Sequence, residues 1–169
     1  EGLNALAEWG ADSVRCGIGG GSICSTRLVS GHGVPTLQNI IDCARTHHDV
    51  KIIADGGIKK SGDIVKALAA GADFVMVGSM FAGTDETPGQ VFTSQSGKKY
   101  KVYRGMASKD AQTDWRGKSS TPEGISTTVA YKGSAKQVLK DLAGGIRSGL
   151  SYTGARNLMQ LRTKAQFIK

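Results

Sequence analysis

The residues with the most evident chemistry lie in one run, Gly17-Ile18-Gly19-Gly20-Gly21-Ser22-Ile23-Cys24-Ser25-Thr26-Arg27. Consecutive glycines reach positive φ and carry no side chains, so their amides can turn into a cavity. A cysteine among such amides is exposed in an electropositive setting, where a thiol gives the thiolate nucleophile. Free cysteines also serve as small core hydrophobes. Cys16, at a strand end, and Cys43, on a helix, are read that way, and Cys24 as the reactive thiol.

Two further clusters sit in matching places. Asp55-Gly56-Gly57 and Gly78-Ser79 each follow a short apolar run. Amides at such turns suit a phosphate, and a carboxylate like Asp55 can accept both hydroxyls of a ribose. Each turn alone is common; two of them beside the cysteine loop form a stronger pattern. The spacing is not that of a dinucleotide fingerprint, because Gly17-x-Gly19 lacks the third glycine and the acidic residue about 20 positions on. Glu123, between Pro122 and Gly124, reads either as a loop charge or as part of this site. His32, His47 and His48 have no ligand spacing, and His47-His48 reads as a polar helix end.

The elements that position these groups alternate. Glu1 to Trp9 has a helical apolar face and a glycine stop at Gly10, and Ala11 to Cys16 is a strand feeding the loop. Thr36 to His47 is helical, Val50 to Ala54 is a β-branched run suited to a buried parallel strand, and Ser61 to Ala70 is a helix capped by Ser61. Asp73 to Val77 is a further buried strand. Strands alternating with helices, each delivering polar groups at its C-terminal end, define parallel β/α units. A (β/α)8 barrel and an open sheet both obey that rule, so spacing alone leaves both open.

Beyond Gln90 the pattern changes. Val91-Phe92-Thr93 and Tyr100 to Tyr103 read as a hairpin inserted after a barrel strand. Ala107 to Pro122 reads as a polar flap with little helix signal. Gly133 to Ser148 and Gly154 to Leu161 are helical.

Composition limits the rest. Of 169 residues 24 are glycine, about twice the usual share of roughly 7%, which fits a loop-built site. The formal net charge of +8 comes from scattered lysines and arginines without aromatic interleaving, so it reads as a solvated surface and an anion site, with no nucleic-acid partner. Three cysteines without CxxC spacing argue against a disulfide framework or zinc and for reduced thiols in the cytoplasm. No apolar run reaches the roughly 18 residues of a membrane span. The abrupt start at Glu1 reads as a piece of a longer chain.

The runs GIGGGSICSTR (17–27), IIADGGI (52–58), GADFVMVGSMFAGTDETPG (71–89), YRGMAS (103–108) and PEG (122–124) resemble the IMP dehydrogenase and GMP reductase family, in order and over nearly the whole chain. The resemblance implies a parallel (β/α)8 TIM barrel, with residues 1–169 forming the C-terminal part of one domain. That part holds the last three or so β/α units, a hairpin and a flap at about 107–122, and the N-terminal part of the barrel is absent. Cys24 becomes the nucleophile at the purine C2, with Thr26 and Glu123 assisting proton transfer. Ser22, Gly56, Gly57, Gly78, Ser79 and Tyr103 hold the 5′-phosphate end, Asp55 the ribose, and Gly105, Met106, Ala107 and Glu123 the base. Carbonyls of Gly19, Gly21 and Cys24 correspond to the potassium site of the dehydrogenase. A homotetramer is also implied, and Gly20 departs from the family by standing where proline is usual.

Two reactions share these residues. GMP reductase converts GMP to IMP and ammonia with NADPH; IMP dehydrogenase oxidises IMP to XMP with NAD and needs a flap that activates water. Here the flap is short and contains no Arg-Tyr pair, which favours the reductase, whereas Tyr103-Arg104-Gly105-Met106 and Leu161 to Phe167 lean toward the dehydrogenase. A nucleotide-binding remnant without catalysis is a third reading.

Overall fold

The computed structural model describes residues 1–168. Its first half is three parallel strands, β1 (Ser13–Cys16), β2 (Lys51–Asp55) and β3 (Phe74–Met76), paired in chain order. Order without a switch is what one arc of a barrel requires. Between the strands run α2 (Thr26–Ser30), α3 (Thr36–Cys43) and α4 (Ser61–Ala69), with α1 (Gly2–Glu8) before them. The second half adds an antiparallel sheet, β4 (Phe92–Thr93), β5 (Lys99–Arg104) and β6 (Ser126–Ala130), with α5 (Lys109–Arg116) between β5 and β6. Two more helices, α6 (Ala135–Tyr152) and α7 (Leu158–Lys164), then return to the parallel sheet.

Alternation explains the core. Cys16, Ile52 and Ala54 point toward the helices and are buried with Ile40, Ile64, Leu68, Leu142 and Leu161. The other face carries Arg15, Asp55, Phe74 and Met76, and Phe74 is 58% exposed. The sequence expectation of strands buried on both sides is therefore met on one side only, because three strands form an arc and cannot close over their own inner face.

α6 packs closely on α4 because its contact face is glycine. A Cβ on Gly149 would lie 2.6 Å from a Val65 methyl, and one on Gly145 would lie 2.1 Å from the Ser61 hydroxyl. α7 is held by Arg162, whose Nη2 donates to the Ala72 carbonyl at 2.7 Å and to the Asp73 carboxylate at 3.0 Å. The other Asp73 oxygen accepts the Ile52 amide at 2.8 Å, so one carboxylate ties β2 to α7.

Several sequence expectations are corrected. Ser61 is the first helical residue of α4, not its cap: Lys60 is the N-cap, and Asp63 accepts the Lys59 and Lys60 amides at 3.0 and 3.2 Å. α3 ends at Cys43 rather than His47. Its chain closes in tight turns at Arg45 and Thr46, and the Thr46 hydroxyl donates to Asn4 at 2.7 Å. The flap holds a helix, α5, capped by Ser108, whose hydroxyl accepts the Ala111 amide at 3.2 Å. β6 and α2 were not expected at all.

Cys16 sits 6% exposed in the core, and burial, with Cys43 beside it, pushes its thiol up to about 12. A raised thiol pKa favours the neutral folded form: its contribution is complete below the unfolded value near 9.0 and is lost as pH rises toward 12. The urea midpoint of the full-length protein should therefore fall relative to that of Cys16→Val between pH 8 and 11. Parallel curves for the two proteins would refute it.

Candidate functional site

The C-terminal ends of β1, β2 and β3 converge on a cavity of about 180 Å³. Ser22, Asp55, Gly57, Gly78, Ser79 and Tyr103 are all on its wall. The loops meet there by main-chain contact. A Cβ on Gly20 would lie 2.8 Å from the Thr36 hydroxyl and 3.2 Å from the Gly56 Cα. Gly56 itself has φ +91°, and a Cβ on it would lie 2.8 Å from the Gly20 backbone. The departure from proline at position 20 thus goes with a tight fit against Thr36 and Gly56, not with a slack loop. Arg27 braces the loop from outside, its guanidinium donating to the Ile18 carbonyl at 3.2 and 3.3 Å and to Val34 at 2.7 Å.

Cys24 is partly buried. Its amide donates to the Gly21 carbonyl at 3.2 Å and its thiol to the Thr26 hydroxyl at 3.2 Å, which brings two of the three expected catalytic groups into contact. The third arrives through the backbone. The Ser25 amide donates to the Glu123 carbonyl at 2.8 Å, and the Ile125 amide to the Ile23 carbonyl at 3.0 Å. On the other side the Glu123 amide donates to Ala107 at 3.1 Å and the Gly105 amide to Ile125 at 3.0 Å. Residues 105–108 and 123–125 are therefore fastened to the cysteine loop. Glu123, however, lies on a second cavity of about 390 Å³ with Met106, Ala107, Gln112 and Trp115, and its side chain makes no hydrogen bond to Cys24 or Thr26 among the described residues.

Tyr103 reaches in from β5: a Cβ on Gly78 would lie 3.2 Å from its hydroxyl. Asp55 is paired with Arg15 at 3.4 Å. Sequence reasoning missed Arg15, and alternation along β1 could have found it, since it shares a face with the strand-end groups. It also missed Lys132, whose Nζ donates to the Ser79 and Met80 carbonyls at 3.0 Å each and whose pKa burial holds below the usual lysine value. A single lysine in a basic chain gives no sequence signal. Of the expected cation donors, the Gly19 and Cys24 carbonyls accept no hydrogen bond among the described residues, and Gly21 accepts only the Cys24 amide. All three keep free lone pairs, the donor chemistry a monovalent cation site would need. No cluster of three or more His, Cys, Asp or Glu suited to a metal occurs among the described residues.

The comparisons agree with this architecture. The model of the IMP dehydrogenase / GMP reductase domain matches residues 1–169. Inosine-5′-monophosphate dehydrogenase of Staphylococcus saprophyticus is 52% identical over all of this chain and 37% of its own length, and that of Nitrosopumilus maritimus is 48% identical over all of this chain and 38% of its own. A crystal structure of GMP reductase from Trypanosoma brucei in complex with guanosine 5′-monophosphate superposes with TM-score 0.92 at 44% identity, covering 98% of this chain and 35% of that one. The chain belongs to the IMP dehydrogenase / GMP reductase family, a family of oxidoreductases using nicotinamide cofactors, and its fold is part of a parallel β/α barrel. It spans little more than a third of the length of these relatives.

Gly56→Ala tests the contact between the loops. It forces a side chain onto positive φ and into the Gly20 backbone, and should lower the stability of the full-length protein by about 2 kcal/mol. A denaturant midpoint equal to wild type would refute it.

Proposed function

We propose that residues 1–169 are the C-terminal part of one catalytic barrel domain, with residues 107–122 as its flap, and that the whole protein is a GMP reductase. It would convert GMP to IMP and ammonia with NADPH as a cytoplasmic homotetramer. The carrying observation is the flap. Its chain is taken up by α5, and the Gln112 side chain donates to Ala107 at 3.0 Å and accepts from the Ser120 amide and hydroxyl at 2.9 and 3.2 Å. The segment has no Arg-Tyr pair to activate water. The likeness to the trypanosomal reductase supports the same direction.

In this reading Ser22, Gly56, Gly57, Gly78, Ser79 and Tyr103 bind the phosphate end, Asp55 the ribose, and Gly105, Met106, Ala107 and Glu123 the base. The Cys24 thiolate adds to C2 of guanine. Thr26, in contact with the thiol, and Glu123, fastened beside it, deliver a proton to the 2-amino group, which leaves as ammonia and gives a Cys24 thioimidate. The nicotinamide cofactor, when bound, supplies hydride to that carbon, and the Cys24 sulfur then leaves as IMP forms. Met106 and Trp115, 79% and 69% exposed beside Glu123, fit one side of a planar ring and would hold it there.

The dehydrogenase is the second reading, favoured by relatives of that name at about 50% identity. NAD would then be the cofactor, with the carbonyls of Gly19, Gly21 and Cys24 holding potassium. The match to the Staphylococcus saprophyticus relative runs over 181 residues, at least twelve more than this chain has, which fits a shortened flap here.

Full-length protein incubated with GMP and NADPH should oxidise NADPH and form IMP. XMP from IMP and NAD would overturn the reductase in favour of the dehydrogenase, and nucleotide binding without either turnover would leave a binding remnant. Cys24→Ala should reduce turnover by at least about 10³-fold while nucleotide affinity changes little. Turnover retained in that variant would refute the nucleophile.

A further inference from the structure

We propose that Lys59 is the cationic residue that neutralises the nucleotide phosphate and sets the preference for a nucleoside monophosphate over a nucleoside. The inference rests on the nucleotide-site reading above. Every group assigned there to the phosphate is uncharged: the hydroxyls of Ser22, Ser79 and Tyr103 and the amides of Gly56, Gly57 and Gly78. A phosphate monoester near neutral pH carries close to two negative charges, and amides alone leave it without a counter-charge. Around the 180 Å³ cavity only two residues carry formal charge, Asp55 and Lys59. The Asp55 carboxylate is paired with Arg15, which leaves Lys59 as the cation on that wall.

Its placement suits the task. Lys59 follows Gly57 and Ile58 in the turn after β2, and its amide is held by the Asp63 carboxylate at 3.0 Å, so the backbone from which the side chain extends is fixed. Lys59 and Ser79 also line the neighbouring cavity of about 330 Å³, so the lysine stands at the boundary between the two spaces, on the Ser79 side of the nucleotide cavity. Among the described residues its ammonium has no hydrogen bond or ion pair. Lys132, on the wall of the second cavity, is already engaged with the Ser79 and Met80 carbonyls and cannot take this role. An exposed, flexible ammonium adds charge without imposing geometry, which is how lysine differs from arginine at phosphate sites.

The test compares three ligands, GMP, IMP and guanosine, with full-length wild type, Lys59→Gln, Lys59→Arg and Lys98→Gln, by equilibrium binding at low and at high salt. Lys59→Gln should weaken both monophosphates about tenfold at low salt, leave guanosine within about twofold, and flatten the salt dependence. Lys59→Arg should restore most of the loss. Lys98→Gln, which removes the same charge from the hairpin turn, should stay near wild type. Equal weakening of GMP and guanosine, or an effect matched by Lys98→Gln, would overturn the proposal, as would no change at all. Wild-type protein that binds none of the three ligands would overturn the nucleotide-site reading itself, and the role of Lys59 with it.

Discussion

The site depends on a join made by main chain around Gly124. The carbonyls of Ile23 and Glu123 and the amides of Ser25 and Ile125 lock the cysteine loop to the strand leading into β6, and Glu123 and Gly105 continue the ladder to residues 105–108. Gly124 lies between, and a Cβ there would stand 3.1 Å from the Ser108 nitrogen and 3.3 Å from the Ile23 oxygen. Hydrogen bonds of this kind fix orientation as well as distance. The thiol, the segment assigned to the base and Glu123 therefore move as one body, although they come from parts of the chain about 100 residues apart. The parallel arc supplies the floor, and the antiparallel sheet sets the height of the wall.

Part of the basic content serves the interior in a way that composition could not reveal. Arg27, Lys132 and Arg162 each spend their donors on main-chain carbonyls, as does Lys101, which is 3% exposed and donates to Thr84 at 2.8 Å and Thr87 at 2.6 Å. Burying an ammonium is costly unless acceptors meet it, and two carbonyls do so here. Lys101 sits two residues before Tyr103 on β5, so the same strand is tied to the Thr84–Thr87 turn and delivers its phenol over Gly78. Lys132 does the equivalent for β6 and Ser79. These two lysines hold the antiparallel sheet against the end of β3.

What could be read from the residues was whatever a local rule governs. The three parallel strands, the glycine stop after α1 and the polar groups at strand ends follow from apolar period and turn chemistry, whereas Thr26 beside Cys24 came only from the family resemblance. The parts that escaped are those whose stability comes from elsewhere. β6, Ser-Thr-Thr-Val-Ala, is exposed along most of its length and is a strand because β5 lies beside it. α5 is largely polar, with only Ala111 and Gln112 buried, and is held by the Ser108 cap and by Gln112. Lys101 looks like any surface lysine until the turn it serves is placed. That Glu123 lies on the cavity beside Trp115, joined to the cysteine loop only through its backbone, was not legible.

The two family reactions meet at one thioimidate on the cysteine, reached by loss of ammonia from GMP or of hydride from IMP, so that intermediate cannot by itself separate them. They diverge in what reaches C2 next: water, which has to be positioned and deprotonated, or hydride, which needs no base. In the proposed reading the discriminating element is the one able to place a base over that carbon, and residues 107–122, as the flap, would be that segment. Its polar side chains are largely spent on holding its own shape. Both ends of the Gln112 amide are engaged, Asp114 pairs with Arg104, and the Arg116 guanidinium lies 4.5 Å from the Trp115 ring centroid. That guanidinium already has an indole partner, and no tyrosine stands in the segment beside it. In the proposed reading such a flap would favour reduction by lacking the means to make hydroxide, not by adding anything for hydride.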